Sequence, residues 1–139
     1  MMNETLNQKK DLRKALTEKR NLIKKNTNLE FNIKAFNQLT EQIKFNAIDY
    51  IGSFMSIRSE ISTKQLNITI LKMKKKLAFP AIEKNLETLT FKTINSHKSF
   101  KIGKFNIPEP TNDNYEIIPQ LFFVPCLGFD LKGFRIGYG

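Results

Sequence analysis

The sequence predicts a three-layer α/β domain in which a mainly parallel sheet is flanked by helices. Some segments carry apolar residues every three or four positions, which is helical spacing, whereas others are apolar without that period. The segment Ile48–Ile57 is of the second kind and is rich in β-forming residues, as strands buried on both faces of parallel sheets are. Because helices and strands alternate along the chain, a parallel sheet is favoured. A chain of 139 residues is expected to form one domain, residues 1–139.

Two helices are predicted before the first strand. Residues 4–25 place Leu12, Leu16 and Ile23 at helical spacing, with basic residues filling most of the other positions. A second helix is predicted over residues 31–45 by the same criterion.

A third helix is predicted to follow the first strand. Ser62 and Gln65 have the spacing of a capping box, which marks the start of a helix. We expect this helix to end in the lysines of residues 74–76, since cations there complement the negative end of the helix dipole. A short second strand, Leu77–Phe79, is then expected to stop at Pro80.

The second half of the chain is predicted to be mostly strand and loop. Leu89–Ile94 alternates in polarity, as a strand with one solvated face does. Residues 95–104 are polar and indicate a loop or a short helix. Residues 107–110 contain two prolines, so they form neither a helix nor a central strand. Ile117–Leu127 is predicted to be the last buried strand.

The segment after that strand is predicted to bind phosphate. Four of the six glycines lie in the last twelve residues, and glycine lets a ligand approach the backbone amides closely. Loops beyond the carboxyl ends of strands bind phosphate-bearing ligands in open α/β sheets. Arg135 and the amides near Gly137 and Gly139 are the predicted donors. Lys9 and Arg13 lie four residues apart on one helix face and suit a nucleoside triphosphate.

Composition and charge exclude several classes of function. The formal charge is +10, but the lysines are scattered and no nucleic-acid-binding motif accompanies them, so we do not expect a dedicated nucleic-acid surface. A single cysteine, Cys126, allows no disulfide within the chain and favours a reducing, cytoplasmic setting. No signal peptide or membrane span is predicted. His97 has no metal-ligand spacing around it, and no Ser/His/Asp or Cys/His arrangement is present.

Five segments, in this order, resemble the 5-formyltetrahydrofolate cyclo-ligase (5,10-methenyltetrahydrofolate synthetase) family. They are Lys9–Arg13, Phe54–Ile61, Phe79–Lys84, Ile107–Pro110 and Val124–Gly139. Each is common alone, but all five in the right order and spacing are specific. The resemblance implies a Rossmann-like fold of the NagB/RpiA/CoA-transferase-like kind with its last elements missing. The family signature normally continues G-G-Y-Y-D-R, so the resemblance implies a domain that is incomplete at its C-terminus and has little or no activity by itself.

The resemblance also implies an activity. The family uses ATP and Mg²⁺ to convert 5-formyltetrahydrofolate to 5,10-methenyltetrahydrofolate, ADP and phosphate, through a phosphorylated formyl group (an iminophosphate). The expected partners are these two small molecules, with no nucleic acid and no membrane, and the expected state is a monomer. The alternative is a non-catalytic, basic α/β domain that binds nucleotide or RNA without turnover.

The residues that the resemblance implicates fall into three groups. Those expected to bind ATP are Lys9, Lys10, Asp11, Leu12, Arg13, Arg135, Ile136, Gly137, Tyr138 and Gly139. Arg135 is also the expected catalytic residue. Those expected to bind the folate are Met55, Glu60, Tyr138 and Gly139. No metal ligand is expected within this chain, since the family's aspartate lies beyond Gly139.

Overall fold

The computed structural model describes residues 2–26, 32–82, 89–94, 100–103, 106–111 and 114–138, with side chains from residue 5 onward. The chain divides into two compact units. The first consists of Met1–Leu29, Arg58–Ile61 and Pro125–Gly139, and the second of Glu30–Ile57 and Ser62–Val124. That residues 1–139 form a single domain stays a prediction.

The first half of the described chain contains the helices and two strands, and the second half consists mostly of short strands. The helices are α1 (Met2–Asn26), α2 (Ile33–Gln42) and α3 (Lys64–Lys72), with a 3₁₀ turn at Phe45–Ala47. The strands are β1 (Tyr50–Gly52), β2 (Lys76–Ile82), β3 (Leu89–Thr93), β4 (Phe100–Ile102), β5 (Pro108–Pro110), β6 (Glu116–Ile117), β7 (Leu121–Phe122), β8 (Gly128–Phe129) and β9 (Arg135–Ile136).

The main sheet lies in the second unit and has the order β6-β3-β2-β1-β7. Strand β1 pairs in parallel with β2, at Ile51 opposite Leu77, and with β7, at Ile51 opposite Leu121. Strands β3 and β6 extend the sheet with antiparallel pairing. The predicted α/β class is therefore confirmed, and its parallel part consists of β2, β1 and β7.

The core of the second unit forms where α2 and α3 meet the sheet. Leu66 and Ile70 are one helical turn apart in α3 and are fully buried, while Leu77 and Phe79 alternate onto one face of β2 and are 2% exposed. Phe36 of α2 is 1% exposed. Apolar residues at helical and at strand spacing thus supply the two sides of one core.

The helices begin and end differently from the prediction at several positions. Helix α1 agrees with it. Helix α2 begins after Asn32, whose side chain accepts hydrogen bonds from two backbone amides, and it ends at Gln42 because Ile43 is extended. The capping box at Ser62 is wrong: Thr63 is the cap residue and makes no side-chain capping bond. Its hydroxyl donates instead to the carbonyl oxygen of Phe54 at 2.8 Å.

The prediction that the triple lysine ends a helix is also wrong. Helix α3 ends at Lys72, and Lys74 adopts a left-handed conformation with φ of 60°. This turn lets the backbone amide of Lys76 donate to Asp49 and begin β2. The hydrogen bond from Lys76 to the hydroxyl of Tyr50 raises the pKa of Lys76 above its ordinary value.

The first two strands differ from their predicted lengths in opposite directions. Strand β1 covers only Tyr50–Gly52 of the predicted Ile48–Ile57. Strand β2 does not stop at Pro80 but continues to Ile82. Strand β1 pairs with β2 only as far as Ala78, so Pro80 has a partner strand on one side alone. Pro80 has no backbone N–H to donate, but β1 does not extend far enough to need a hydrogen bond from this position.

The later strands are shorter and more numerous than predicted. Phe100–Ile102, within the predicted loop or helix, is strand β4 and pairs with β5; residues 95–99 and 104 of that prediction lie outside the described residues, as does His97. The prediction of one strand over Ile117–Leu127 is wrong. The prolines at 119 and 125 divide it, and the parts that pair as strands lie at opposite edges of the sheet as β6 and β7.

The first unit combines α1 with a terminal β-hairpin. Strands β8 and β9 pair antiparallel, with Phe129 opposite Arg135. The turn between them is closed by Asp130, whose Oδ1 accepts from the amides of Lys132 and Phe134, both at 2.9 Å. Gly133 has φ of +85°, which favours glycine. The glycine-rich segment is thus a hairpin rather than the open loop that the sequence predicted.

Within the described residues, no helix is long and apolar enough to cross a membrane.

Candidate functional site

A cationic cavity of about 470 Å³ lies in the first unit, between α1 and the terminal hairpin. This volume is in the range of small-molecule sites. Its lining comes from two elements, and the residues are Lys9, Leu12, Arg13 and Leu16 of α1, and Gly128, Phe129, Asp130, Phe134, Arg135, Ile136 and Gly137 of the hairpin and its exit.

The charges of the lining favour an anionic ligand. Lys9 and Arg13 lie four residues apart, one helical turn, and Arg135 is contributed by β9. The lining contains one acidic side chain, Asp130, and its Oδ1 is held by two backbone amides of the hairpin turn. Three cations and one engaged carboxylate suit a polyphosphate.

Two contacts fix the hairpin against α1. Nε of Arg13 donates to the carbonyl oxygen of Gly137 at 3.0 Å. At Gly128, a Cβ atom would lie 3.1 Å from Cδ1 of Leu16, so the absence of a side chain permits the close approach of strand and helix. Both contacts are made by residues that line the cavity.

Arg20 makes a second set of contacts in the same unit, and sequence reasoning assigned it no role. Its Nε donates to Oγ of Ser59 at 3.1 Å, its Nη1 to the carbonyl oxygen of Cys126 at 3.2 Å, and its Nη2 to the hydroxyl of Tyr138. The guanidinium carbons of Arg20 and Arg58 lie 4.9 and 5.3 Å from the ring centroid of Tyr138. Tyr138 is therefore held by two cation–π contacts.

A second, mostly apolar cavity of about 510 Å³ lies in the second unit. Its lining comes from the segment after β1, from α3 and its cap residue, from β2 and β4, and from the residue after β3. The residues are Met55, Ser56, Thr63, Lys64, Asn67, Ile68, Leu71, Leu77, Phe79, Ile94 and Phe100. Three of its polar side chains are hydrogen-bonded to other side chains. Ser56 and Thr63 share a hydrogen bond of 3.1 Å, and Oγ of the buried Ser53 donates to Oδ1 of Asn67 at 2.6 Å.

Comparison with known proteins identifies the family. Residues 5–139 match the family model of the 5-formyltetrahydrofolate cyclo-ligase family. The chain belongs to the 5-formyltetrahydrofolate cyclo-ligase family. The resemblance of the five sequence segments is thereby confirmed, and membership supports a folate cyclo-ligase function in general.

A solved structure with a similar fold supports the same family. It is the NMR structure of 5,10-methenyltetrahydrofolate synthetase from Aquifex aeolicus, with a TM-score of 0.74 and 26% sequence identity. The match covers 94% of this chain and 67% of that chain. A search of curated protein sequences found no match.

The structure brings together part of the nucleotide set that the cyclo-ligase resemblance implied. The predicted residues that line the cationic cavity are Lys9, Leu12, Arg13, Arg135, Ile136 and Gly137. Lys10 and Asp11 are exposed and do not line it. Tyr138 contacts Arg20 and Arg58, and Gly139 lies outside the described residues.

The predicted folate residues of the cyclo-ligase site lie in both units. Met55 lines the apolar cavity of the second unit and is 36% exposed. Glu60 lies in the first unit, on the segment Arg58–Ile61, and is 7% exposed. Arg58 turns this segment with φ of 51°. The burial of Glu60 on a short turning segment gives its carboxylate a restricted position.

Proposed function

We propose that this chain binds ATP and 5-formyltetrahydrofolate and, with a low turnover, forms 5,10-methenyltetrahydrofolate, ADP and phosphate. Family membership over residues 5–139 supports the proposal. The structural observation that supports it best is the cavity in which Lys9 and Arg13 of α1 meet Arg135 of the hairpin. We further propose that the protein acts as a monomer in the cytoplasm, where its single cysteine stays reduced.

The reaction needs a change of leaving group. The oxygen of the formyl group that is attached to N5 is a poor leaving group. The γ-phosphoryl group of ATP is therefore first transferred to this oxygen, and ADP leaves. N10 then attacks the formyl carbon, its proton is lost, and the carbon–oxygen bond breaks to release phosphate. No protein nucleophile is required, and the protein's contribution is alignment and charge neutralisation.

In the proposed complex the cationic cavity holds the ATP phosphates. The hydrogen bond from Nε of Arg13 to the carbonyl oxygen of Gly137 orients the guanidinium. The two Nη atoms are proposed to donate to the phosphates. Arg135 lies on a strand of the hairpin and is proposed to neutralise the charge that develops during phosphoryl transfer. Leu12, Ile136 and the backbone at Gly137 complete the wall.

The reduced folate is proposed to use Met55 and Glu60. Met55 belongs to an apolar cavity whose size and lining suit a flat heterocycle with a few polar edges. Glu60 is proposed to accept hydrogen bonds from N–H groups of the pterin ring. Tyr138, in the terminal segment, is proposed to contact both the nucleotide and the folate.

Magnesium is proposed to enter with the nucleotide, since Mg²⁺ is usually bound through phosphates and one or two carboxylates. Among the residues that the structure describes, no group of three histidine, cysteine, aspartate or glutamate side chains could hold a metal. No step of the mechanism is therefore assigned to an ion bound by this chain.

The test is to mix the protein with 5-formyltetrahydrofolate, ATP and Mg²⁺ and to follow the near-ultraviolet absorbance of the methenyl product. Product formation that requires ATP, and that falls when Lys9 and Arg13 are replaced by alanine, supports the proposal. Lys14→Ala is the control, because Lys14 is an exposed cation of the same helix outside the cavity. No product, together with tight and salt-dependent RNA binding, would instead support a non-catalytic binder.

A further inference from the structure

Arg20 contacts three separate parts of the first unit at once. Its three nitrogen atoms donate to the Ser59 side chain, to the Cys126 carbonyl oxygen and to the Tyr138 hydroxyl. Ser59 is 4% exposed and adjoins Glu60. Cys126 precedes the hairpin, and Tyr138 follows it. One side chain therefore joins the segment that carries Glu60 to both ends of the hairpin.

These contacts use the shape of a guanidinium group. Arginine presents several donors in a fixed planar fork, whereas the lysine ammonium is a compact point charge on a flexible stem. The planar guanidinium of Arg20 donates to three acceptors and also contacts the ring of Tyr138. A lysine at this position keeps the charge but cannot make the same set of bonds.

The two segments that Arg20 joins carry different parts of the proposed site. The hairpin contributes Arg135 and Gly137 to the cationic cavity, and the segment Arg58–Ile61 carries Glu60. A ligand that orders one segment also restricts Arg20 and, through it, the other segment. A second ligand on that other segment then loses less conformational entropy when it binds. Such a shared cost makes two ligands bind cooperatively.

We propose that Arg20 is a positioning residue that couples nucleotide binding to folate binding. This inference rests on the proposed function, since it assigns the nucleotide to the hairpin side and the folate to Glu60. Lys24 strengthens the same link, because its Nζ donates to the carbonyl oxygen of Arg58. The coupling adds no group that contacts either reacting atom.

The test measures binding rather than turnover. Isothermal titration calorimetry with a non-hydrolysable ATP analogue is performed with and without 5-formyltetrahydrofolate, and then with the order reversed. In the unmodified protein each ligand is expected to tighten the other about fivefold or more. In Arg20→Lys the coupling is expected to fall below about twofold, while each ligand alone binds within about threefold of the unmodified protein.

Two further variants complete the test. Ser59→Ala removes the acceptor of Nε without changing a proposed ligand contact, and it is expected to reduce the coupling; it decides the matter if Arg20→Lys does not fold. Lys19→Ala removes a neighbouring exposed cation of α1 and is expected to leave the coupling unchanged. Coupling that survives Arg20→Lys, or binding of both ligands without coupling, overturns the role of Arg20 alone. Binding of neither ligand overturns the proposed function and this inference together.

Discussion

Nε of Arg13 donates a hydrogen bond to the carbonyl oxygen of Gly137 at 3.0 Å, across 124 positions of sequence. The bond fixes the exit of β9 against α1 and orients the guanidinium within the cationic cavity. This bond uses the N–H group on Nε of Arg13. The four N–H groups on its two Nη atoms are proposed to donate to a ligand. Arg13 thereby has both a structural bond and a proposed phosphate contact.

The first prediction concerns this double use of Arg13. In Arg13→Ala we expect KM for ATP to rise about 10- to 100-fold, because hydrogen bonds to charged groups contribute about 1.5–3 kcal/mol. KM for 5-formyltetrahydrofolate is expected to change much less. Steady-state kinetics with each substrate varied in turn measures both values. Lys14→Ala, a cation lost one position away outside the cavity, serves as the control.

The second prediction concerns Arg135. Arg135→Ala is expected to lower kcat and kcat/KM for ATP by about 100-fold, as the loss of a group that stabilises developing charge does. Folate binding, measured by calorimetry without ATP, is expected to stay the same. Lys132→Ala is a matched control, since Lys132 is an exposed cation of the same hairpin that does not line the cavity. An unchanged kcat and an unchanged KM for ATP in Arg135→Ala would show that the assignment is wrong.

The third prediction concerns the apolar cavity of the second unit. Met55→Ala is expected to raise KM for 5-formyltetrahydrofolate by about 5- to 30-fold, since an apolar side chain of this size contributes about 1–2 kcal/mol when a ligand covers it. KM for ATP is expected to stay within about twofold. Met73→Ala is the control because Met73 is similarly exposed and does not line this cavity. Equal effects of the two substitutions would remove the apolar cavity from the folate site.

The spacing of apolar residues along the sequence predicted the position of some elements correctly. The helical spacing along α1 and the alternation in β3 are such signals, and both elements lie where the sequence placed them. The strand over Ile117–Leu127 was overpredicted because apolar residues outweighed Pro119 and Pro125 in the pattern. The sequence predicts that β2 stops at Pro80 because it does not show that β1 ends opposite Ala78. Two prolines therefore decide the first case, and the end of the partner strand decides the second.

The part of the candidate site that lies on one helix was predictable from local spacing, whereas the contacts between distant segments were not. Lys9 and Arg13 share a helix face, and their spacing indicated a cationic pair. Arg20 follows Arg13 by seven residues, two helical turns, so it was within reach of the same argument. Its partners, however, lie 39, 106 and 118 positions away. No local pattern reports contacts at such separations, and only the fold shows that Arg20 joins them.

The fourth prediction separates two glycines of the terminal segment by stability. Gly133 has φ of +85° in the hairpin turn, and a Cβ atom there would meet no atom within 4 Å. Gly133→Ala is therefore expected to destabilise the fold through backbone strain alone, by about 1–2 kcal/mol. Gly137 has equal space, but its φ lies outside the positive region that disfavours side chains. Gly137→Ala is expected to change the free energy of unfolding by less than about 0.5 kcal/mol, or to raise it slightly by reducing the entropy of the unfolded chain.

Denaturant unfolding of both variants, followed by circular dichroism, measures this difference. Because neither new methyl group meets a neighbour, steric crowding cannot account for a loss at Gly133, and backbone conformation is the remaining cause. Gly137 lines the cationic cavity, so ATP binding of Gly137→Ala should be measured alongside its stability. If the two variants lose the same stability, the hairpin turn does not require a left-handed residue at position 133. The glycines would then have to be explained by close approach of a ligand to the backbone instead.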